Sequence, residues 1–124
     1  MPANVSYGYF KPGQDVTVHA REDLTGKTFV RAASGGRGTL PDGRTANTGE
    51  SKLGVAGHDV AAGGHVHVHV GGSVDVTAGA DISAGDDIAV GSDGQAVPAG
   101  EDDVVVGYAT NNAASGDDAA VLLK

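Results

Sequence analysis

Short runs in which valine alternates with polar residues recur along this chain, and glycine-rich segments separate them. The clearest run covers residues 65–70 (HVHVHV), and a second run covers residues 73–77 (SVDVT). A period of two residues is typical of half-buried strands, because successive side chains point to opposite faces of a sheet. Gly71 and Gly72 separate the two runs, and a glycine pair favours a tight turn. The sequence therefore predicts a β-hairpin over residues 65–77.

Other segments rich in valine and isoleucine show the strand pattern at roughly regular spacing, and Asp93-Gly94 predicts a second hairpin turn. The additional predicted strands cover residues 14–20, 27–32, 53–56, 88–90, 95–97, 104–109 and 119–123. Many short strands joined by turns are typical of small β-barrels and β-sandwiches. The predicted fold class is therefore all-β. A chain of 124 residues favours a single domain, which we assign to residues 14–124.

Valine must form most of the hydrophobic core, because aromatic residues make up only 4% of the chain and tryptophan is absent. A lean core of this kind stabilises a monomer weakly, and contacts between copies commonly supply the remaining stability. The chain contains no cysteine, so disulfides and thiolate metal sites cannot contribute. The composition therefore favours an oligomer.

The N-terminal residues 1–13 lack the strand pattern. They combine Tyr7, Tyr9 and Phe10 with two prolines and two glycines, which predicts an extended N-terminal arm. Aromatic anchors are typical of both cores and interfaces. The arm is therefore expected either to fold back on its own domain or to dock on a neighbour.

A second segment without the strand pattern covers residues 33–51, which are rich in glycine, serine, threonine and asparagine. This composition predicts a long loop. Structureless loops of this length are uncommon in compact domains, so the loop is expected to be either mobile or held by a partner. Arg37 and Arg44 lie in it and are candidates to pair with acidic groups.

Charge is distributed unevenly between the two halves of the chain. Residues 1–62 hold seven basic and six acidic side chains, whereas residues 63–124 hold one basic and ten acidic side chains. Binding to phosphate requires cations, so the second half is not expected to contact nucleic acid. It is interpreted as a solvated surface, with the N-terminal half facing a partner. No secretory signal pattern and no apolar segment of about 20 residues is visible, so no membrane association is predicted.

The row of His65, His67 and His69 is the candidate metal site. Residues two apart on a strand share a face about 7 Å apart at the backbone. Two such histidines can share an ion, but a closed structural zinc site takes about four ligands. The alternatives are an exposed polar face opposite the valines and a pH-sensitive interface. We expect the exposed face, with no essential metal and no other cofactor.

Acidic residues occur in consecutive groups at 86–87, 101–103 and 117–118, each flanked by glycine or serine. Catalytic carboxylates are more often single residues in apolar surroundings. The groups are therefore interpreted as solvated turns, with weak calcium binding as the alternative. The sequence lacks the spacing of an EF-hand, a phosphate-binding loop or a nucleophile elbow, so no enzyme and no catalytic residues are predicted.

The order of short motifs along nearly the whole chain resembles the capsid decoration proteins (head-stabilisation or cement proteins) of tailed phages, especially those of actinobacterial hosts. The matching motifs are PGQD at 12–15, GKTFV at 26–30, LGVA at 53–56, VTAGA at 76–80, ISAGD at 82–86, DGQAV at 93–97, VGYA at 106–109 and GDDA at 116–119. The histidine-rich strand and residues 33–51 depart from this pattern.

The resemblance implies a β-tulip-like domain, usually a homotrimer, on the outer capsid surface of the virion, where major capsid protein subunits meet. It brings no catalytic residues. The chain would then be a structural cement protein that bridges those subunits, with Tyr7, Tyr9, Phe10, Arg37 and Arg44 as candidate capsid contacts.

The alternative interpretation is a β-sandwich module that binds a carbohydrate or cell-surface ligand, with metal dependence through the histidine row as an option. Sugar binding commonly uses exposed aromatic rings, and residues 11–107 contain only Phe29. This scarcity counts against the alternative.

Overall fold

The computed structural model describes residues 15–37 and 40–124, which form ten β-strands and one short 3₁₀ turn, Ser92–Gly94. The first five strands are β1 (Val16–Ala20), β2 (Phe29–Arg37), β3 (Leu40–Thr45), β4 (Gly54–Ala56) and β5 (His65–His69). The last five are β6 (Ser73–Thr77), β7 (Asp87–Val90), β8 (Ala96–Pro98), β9 (Gly107–Ala109) and β10 (Asp118–Leu123). The predicted all-β fold class is confirmed.

The first five strands form a closed barrel in the order β1-β3-β2-β4-β5, with β5 pairing back to β1. The β1–β3 pair is parallel, and the other neighbours are antiparallel. The alternating residues Val16, Val18, Val66 and Val68 point into the barrel and are at most 5% exposed. Full burial of such a side chain contributes about 1.5–3 kcal/mol relative to leaving it exposed. The alternating pattern in the sequence therefore determines the inner face.

The last five strands form a second sheet in the order β6-β10-β9-β7-β8. This sheet curls until its two edges meet, because Ala78 forms an isolated parallel bridge with Ala96 at the start of β8. The Gly79 amide also donates a hydrogen bond to the Ala96 carbonyl, at 2.8 Å. The second sheet is thus a small barrel whose closure depends on a single bridge.

Each strand of the second barrel has a counterpart in the first barrel. Strands β6 to β10 correspond in order to strands β1 to β5. Val16 pairs with Val68 in the first barrel as Val74 pairs with Val121 in the second, and the parallel contact between the first and third strands recurs as well. We call these units barrel 1 (residues 16–69) and barrel 2 (residues 74–122). The corresponding segments are residues 16–32 with 74–90 and residues 43–69 with 96–122.

A reciprocal pair of hydrogen bonds joins two corners of barrel 1. Asp23 Oδ1 accepts a hydrogen bond from the Ala62 amide at 2.9 Å, and Asp59 Oδ1 accepts one from the Gly26 amide at 2.8 Å. Side-chain oxygens of Asp and Asn commonly satisfy backbone amides in turns in this way. The bonds hold the connection after β1 against the connection after β4.

Barrel 2 contains the same corner at the corresponding positions. Asp81 Oδ1 accepts from the Ser115 amide at 3.1 Å, and Asn112 Oδ1 accepts from the Ala84 amide at 2.8 Å. Asn112 stands where barrel 1 has Asp59, so the corner requires an oxygen acceptor and does not require a charge.

The two barrels stack asymmetrically. Phe29 and Val55 lie on the outer side of barrel 1, are at most 1% exposed, and belong to the same buried cluster as the core of barrel 2. Their counterparts in barrel 2 are Asp87 and Tyr108, and both are exposed. Barrel 2 therefore covers the outer face of barrel 1, and the corresponding face of barrel 2 is left uncovered by the described residues.

The hairpin predicted over residues 65–77 was wrong, because β5 and β6 do not pair with each other. β5 pairs with β1 and β4, and β6 pairs with β10. Both edges of β5 are already occupied, so the strand after Gly72 has to begin the second barrel. The turn at Asp93-Gly94 was correctly predicted, since it joins the antiparallel strands β7 and β8.

The long loop predicted over residues 33–51 was wrong over much of its length. β2 continues to Arg37 and β3 covers Leu40–Thr45, and the two strands pair with a register shift between Ala33 and Arg37. Backbone hydrogen bonds hold this hairpin without an apolar side-chain pattern. Gly43 is buried in it, since a Cβ there would overlap the side chain of Val18. Residues 46–51 lie outside the strands.

Residues 1–13, which include the predicted N-terminal arm, lie outside the described residues, so the division into an arm and one domain stays a prediction. Within residues 15–37 and 40–124, no helix is both long and apolar enough to span a membrane.

Candidate functional site

The five candidate capsid contacts fall into two groups. The three aromatic residues of the arm lie outside the described residues. Arg37 ends β2 with its backbone opposite Leu40, and Arg44 lies in β3 with its backbone opposite Arg31. The two arginines therefore belong to the β2–β3 hairpin, although the sequence placed them in a loop.

Arg44 is held by an ion-pair cluster around Glu50. Its Nη1 and Nη2 atoms each donate to a Glu50 carboxylate oxygen at 2.9 Å, and Arg31 Nη1 donates at 3.0 Å. The Asn47 amide also donates to Glu50, at 2.8 Å. The Arg44 guanidinium, followed by the Asn47 amide, lowers the pKa of Glu50 to about 2. Arg44 thus stabilises its own hairpin and the following turn.

The remaining described cations of barrel 1 that form ion pairs also use acids of the same chain. Arg21 Nη1 lies 3.0 Å from Asp42 Oδ2, and Lys27 Nζ lies 2.9 Å from Asp118 Oδ2. Hydrogen bonds from Arg21 and then His19 lower the pKa of Asp42. Four cations of the N-terminal half, Arg21, Lys27, Arg31 and Arg44, are therefore paired with acids of the same chain.

The histidine row divides into two groups on the outer surface of barrel 1. His65 lies beside His19, with ring centroids 5.6 Å apart, and His19 Nδ1 lies 3.1 Å from Asp42 Oδ1. His67 and His69 instead converge on a different carboxylate. Asp15 Oδ2 lies 2.8 Å from His67 Nε2 and 3.1 Å from His69 Nδ1.

The sequence identified the histidines of this cluster but not Asp15. The pairing of Val16 with Val68 places the residue before β1 next to the end of β5. This register depends on barrel closure, which the alternating pattern alone does not reveal. The three ligand atoms lie within 4.8 Å of one another and can accept a metal ion.

The consecutive acidic residues lie in turns, as predicted, except Asp87 and Asp118, which are the exposed first residues of β7 and β10. Asp86 Oδ2 accepts from the Ser83 amide at 2.9 Å, and Asp103 Oδ2 accepts from the Gly100 amide at 2.7 Å. Glu101, Asp102 and Asp117 are exposed. These acids hold turns and supply surface charge.

An apolar patch lies on the exposed face of barrel 2. Tyr108 and Leu122 are cross-strand partners on β9 and β10, and they are 41% and 46% exposed. We call this pair the β9–β10 patch. Contiguous exposed apolar surface is typical of binding sites, so this cross-strand pair is a candidate contact surface.

Two stacked, valine-filled barrels with structural turns and an exposed apolar patch define a small β-rich protein that acts through its surfaces. The chain belongs to the phage cement protein family, whose model matches residues 10–124. It is a structural protein of the phage virion, located on the capsid. A search of curated proteins found no match.

A solved structure from bacteriophage phi29 shows the same architecture. The chain is similar to the N base of the head fiber gp8.5 of that phage, with 26% sequence identity and a TM-score of 0.76. The similarity covers 90% of this chain and 93% of the phi29 chain. The described barrels are therefore a fold that is also found in another phage head protein.

Proposed function

We propose that this cement protein binds the outer surface of the phage head as a homotrimer and bridges neighbouring major capsid protein subunits. The observation that carries the proposal is the family match over almost the whole chain, residues 10–124. Many copies on a symmetrical shell act together, so each contact can be weak while the assembled shell is reinforced.

We place the main capsid contact on the N-terminal arm, through Tyr7, Tyr9 and Phe10. An aromatic segment can bury a large apolar area when it docks, which offsets the entropy lost on ordering. Arg37 and Arg44 are secondary contacts in this proposal. Arg44 is the weaker of the two because its guanidinium already pairs with Glu50.

Two observations support self-association. The cores consist mainly of valine and alanine, with Phe29 as the one fully buried aromatic side chain among the described residues. The β9–β10 patch also leaves Tyr108 and Leu122 partly open to solvent. We propose that this patch contributes to the contact between copies.

The proposed role is binding without catalysis, and the β-sandwich module for carbohydrates receives no specific support. Stacking on sugar rings uses exposed aromatic side chains. Within the part of the chain that the structure describes, Phe29 is buried and Tyr108 is the exposed aromatic residue.

The capsid contact is tested with shells that lack the cement protein. Deletion of residues 2–10 should leave the oligomer intact and strongly weaken sedimentation with the shells. The matched charge control is the double substitution Asp102→Lys and Asp103→Lys in an exposed turn. It should affect shell binding much less. Normal binding after the deletion, together with lost binding after the charge reversals, would show that the proposed orientation is backwards.

The oligomeric state is tested separately by analytical ultracentrifugation. A trimer is expected at micromolar protein concentrations. Leu122→Ser should shift the distribution towards monomer if the patch lies between copies. A monomer at all concentrations would rule out the proposed trimer in solution, and an unaffected trimer in Leu122→Ser would remove the patch from the interface.

A further inference from the structure

We propose that Asp15, His67 and His69 form a binding site for one divalent transition-metal ion, for which Zn²⁺ is the test ion. The site lies on the outer surface of barrel 1, where the end of β5 meets the residue before β1. Both histidines and the aspartate project away from the valine core, as the alternation of Val66 and Val68 with His67 and His69 requires.

The donor atoms already stand close to metal-binding geometry. Asp15 Oδ2 lies 2.8 Å from His67 Nε2 and 3.1 Å from His69 Nδ1. Donors bound tetrahedrally to Zn²⁺ at about 2.0–2.2 Å lie about 3.3–3.6 Å apart, so each imidazole nitrogen has to move away from the Asp15 oxygen by roughly half an ångström. The three donor atoms all lie within 4.8 Å of one another. The rings of His67 and His69 meet edge to face with centroids 4.8 Å apart, and a nitrogen of each ring contacts the same Asp15 oxygen.

Barrel 2 shows that the strand pair does not need these three residues. The pairing of β1 with β5 recurs as the pairing of β6 with β10. There, the positions of Asp15, His67 and His69 are taken by Ser73, Ala120 and Leu122. The fold itself therefore does not require an aspartate and two imidazoles to converge at this place in barrel 1.

The ligand set selects the class of ion. Two imidazoles and one carboxylate suit zinc, nickel, copper or iron(II), whereas calcium and magnesium prefer sites made entirely of oxygen ligands. Three protein ligands on one side of an ion leave positions for water or for a group of another molecule. The side chains of Asp15, His67 and His69 are 39%, 51% and 36% exposed, so these open positions face solvent.

The nearby imidazoles of His19 and His65 are excluded from the site. His19 Nδ1 contacts Asp42, and the His19 ring lies beside that of His65 at an angle of 54°. Binding places the ion on His67 Nε2 and His69 Nδ1, so the proton of each neutral imidazole occupies the other ring nitrogen. Barrel 2 forms the equivalent strand pair without these ligands, so the proposed ion is a bound ligand rather than a requirement of the fold.

The first test is calorimetric titration of the full chain with Zn²⁺. The variants take the residues that barrel 2 has at the same positions, Asp15→Ser and His67→Ala. The control is His58→Asn, since Asn111 corresponds to His58 and His58 lies outside the cluster. Loss of a residue that merely orients a ligand costs about 10–100-fold in affinity, so loss of a ligand should weaken binding at least about tenfold.

One saturable site per chain that is weakened in both variants and unchanged in His58→Asn supports the proposal. No saturable binding at millimolar Zn²⁺, unchanged affinity in His67→Ala, or an equal loss in His58→Asn overturns it. Circular dichroism of each variant checks that the barrels remain folded.

A second test uses the wild-type chain alone and holds even if a variant fails to fold. In long-range ¹H–¹⁵N spectra, Zn²⁺ should move the resonances of His67 Nε2 and His69 Nδ1 to the metal-bound range. The ring nitrogens of His58 should not move. Shifts at His19 and His65 with none at His67 would overturn the assignment.

Discussion

Lys27 Nζ lies 2.9 Å from Asp118 Oδ2 and joins the two barrels across their interface. The same lysine has a left-handed backbone, with φ of 62°, where barrel 2 has Gly85 with φ of 91°. The Thr77 amide donates to the Lys27 carbonyl at 2.9 Å, so the backbone of this residue also links the barrels. The backbone conformation at this position would suit glycine better, but the position holds a lysine whose side chain reaches the other barrel.

Lys27→Gly is expected to leave thermal stability unchanged or slightly higher. Glycine relieves the left-handed strain, whereas the side chains of Lys27 and Asp118 are 53% and 44% exposed, and exposed ion pairs contribute little. Lys27→Val should lower the melting temperature, because a branched side chain is poorly tolerated at positive φ. Circular dichroism melts at low and high salt provide the measurement. A large loss in Lys27→Gly that disappears at high salt would identify the ion pair as the dominant contribution.

Asp59→Asn is expected to be nearly neutral, because Asn112 makes the equivalent bond in barrel 2. Asp59→Ala removes the acceptor for the Gly26 amide and should destabilise the protein by about 1 kcal/mol. Urea denaturation of the two variants distinguishes the cases. If both variants lose the same stability, the charge of Asp59 matters and the comparison with Asn112 fails.

Glu50→Gln is expected to weaken the pH dependence of stability in acid. The pKa of Glu50 is lowered from 4.5 to about 2 in the folded chain, chiefly by the Arg44 guanidinium and then by the Asn47 amide. A lowered folded pKa means that the contribution is present above pH 4.5 and is lost as the pH falls towards 2. The melting temperatures of wild type and variant should differ most near neutral pH and converge near pH 2. A constant difference over this range would contradict the assignment.

Phe29→Ala should destabilise the protein by about 3–5 kcal/mol, because it leaves a cavity between the barrels. Phe29 is 0% exposed, whereas the control residue Tyr108 is 41% exposed on the corresponding face of barrel 2. Tyr108→Ala should change the unfolding free energy of the monomer by less than about 0.5 kcal/mol. Urea denaturation at low protein concentration separates this effect from self-association. Similar losses in both variants would contradict the asymmetric stacking.

Alternation and short apolar runs together were sufficient to locate nearly all strands. Every strand except β3 overlaps a segment predicted from valine alternation or a short apolar run. β3 was not predicted because its buried position is Gly43, which has no side chain to contribute to a hydrophobic pattern. The pairing was harder to predict, since Gly71-Gly72 suits a hairpin and a link between barrels equally well.

The two barrels share little sequence similarity, so the internal repeat is hard to recognise from the sequence. Ala20 and Asp23 match Ala78 and Asp81 in identity and spacing, but the long β2–β3 hairpin shifts the alignment of the later strands. The same limitation hid Asp15 from the candidate metal site. Its position beside His67 depends on a pairing register between strands that are distant in the sequence.

Barrel 1 has Phe29 at the position where barrel 2 has Asp87, and this difference limits the stack to two barrels. A head-to-tail contact between like units does not close on itself and, if repeated, generates an open filament. Barrel 1 offers a phenyl ring to the next barrel, whereas barrel 2 offers a carboxylate, which is costly to bury without a partner. The second unit therefore does not offer the apolar contact that Phe29 makes, and growth into fibres by repetition of that contact is discouraged even at high local concentrations.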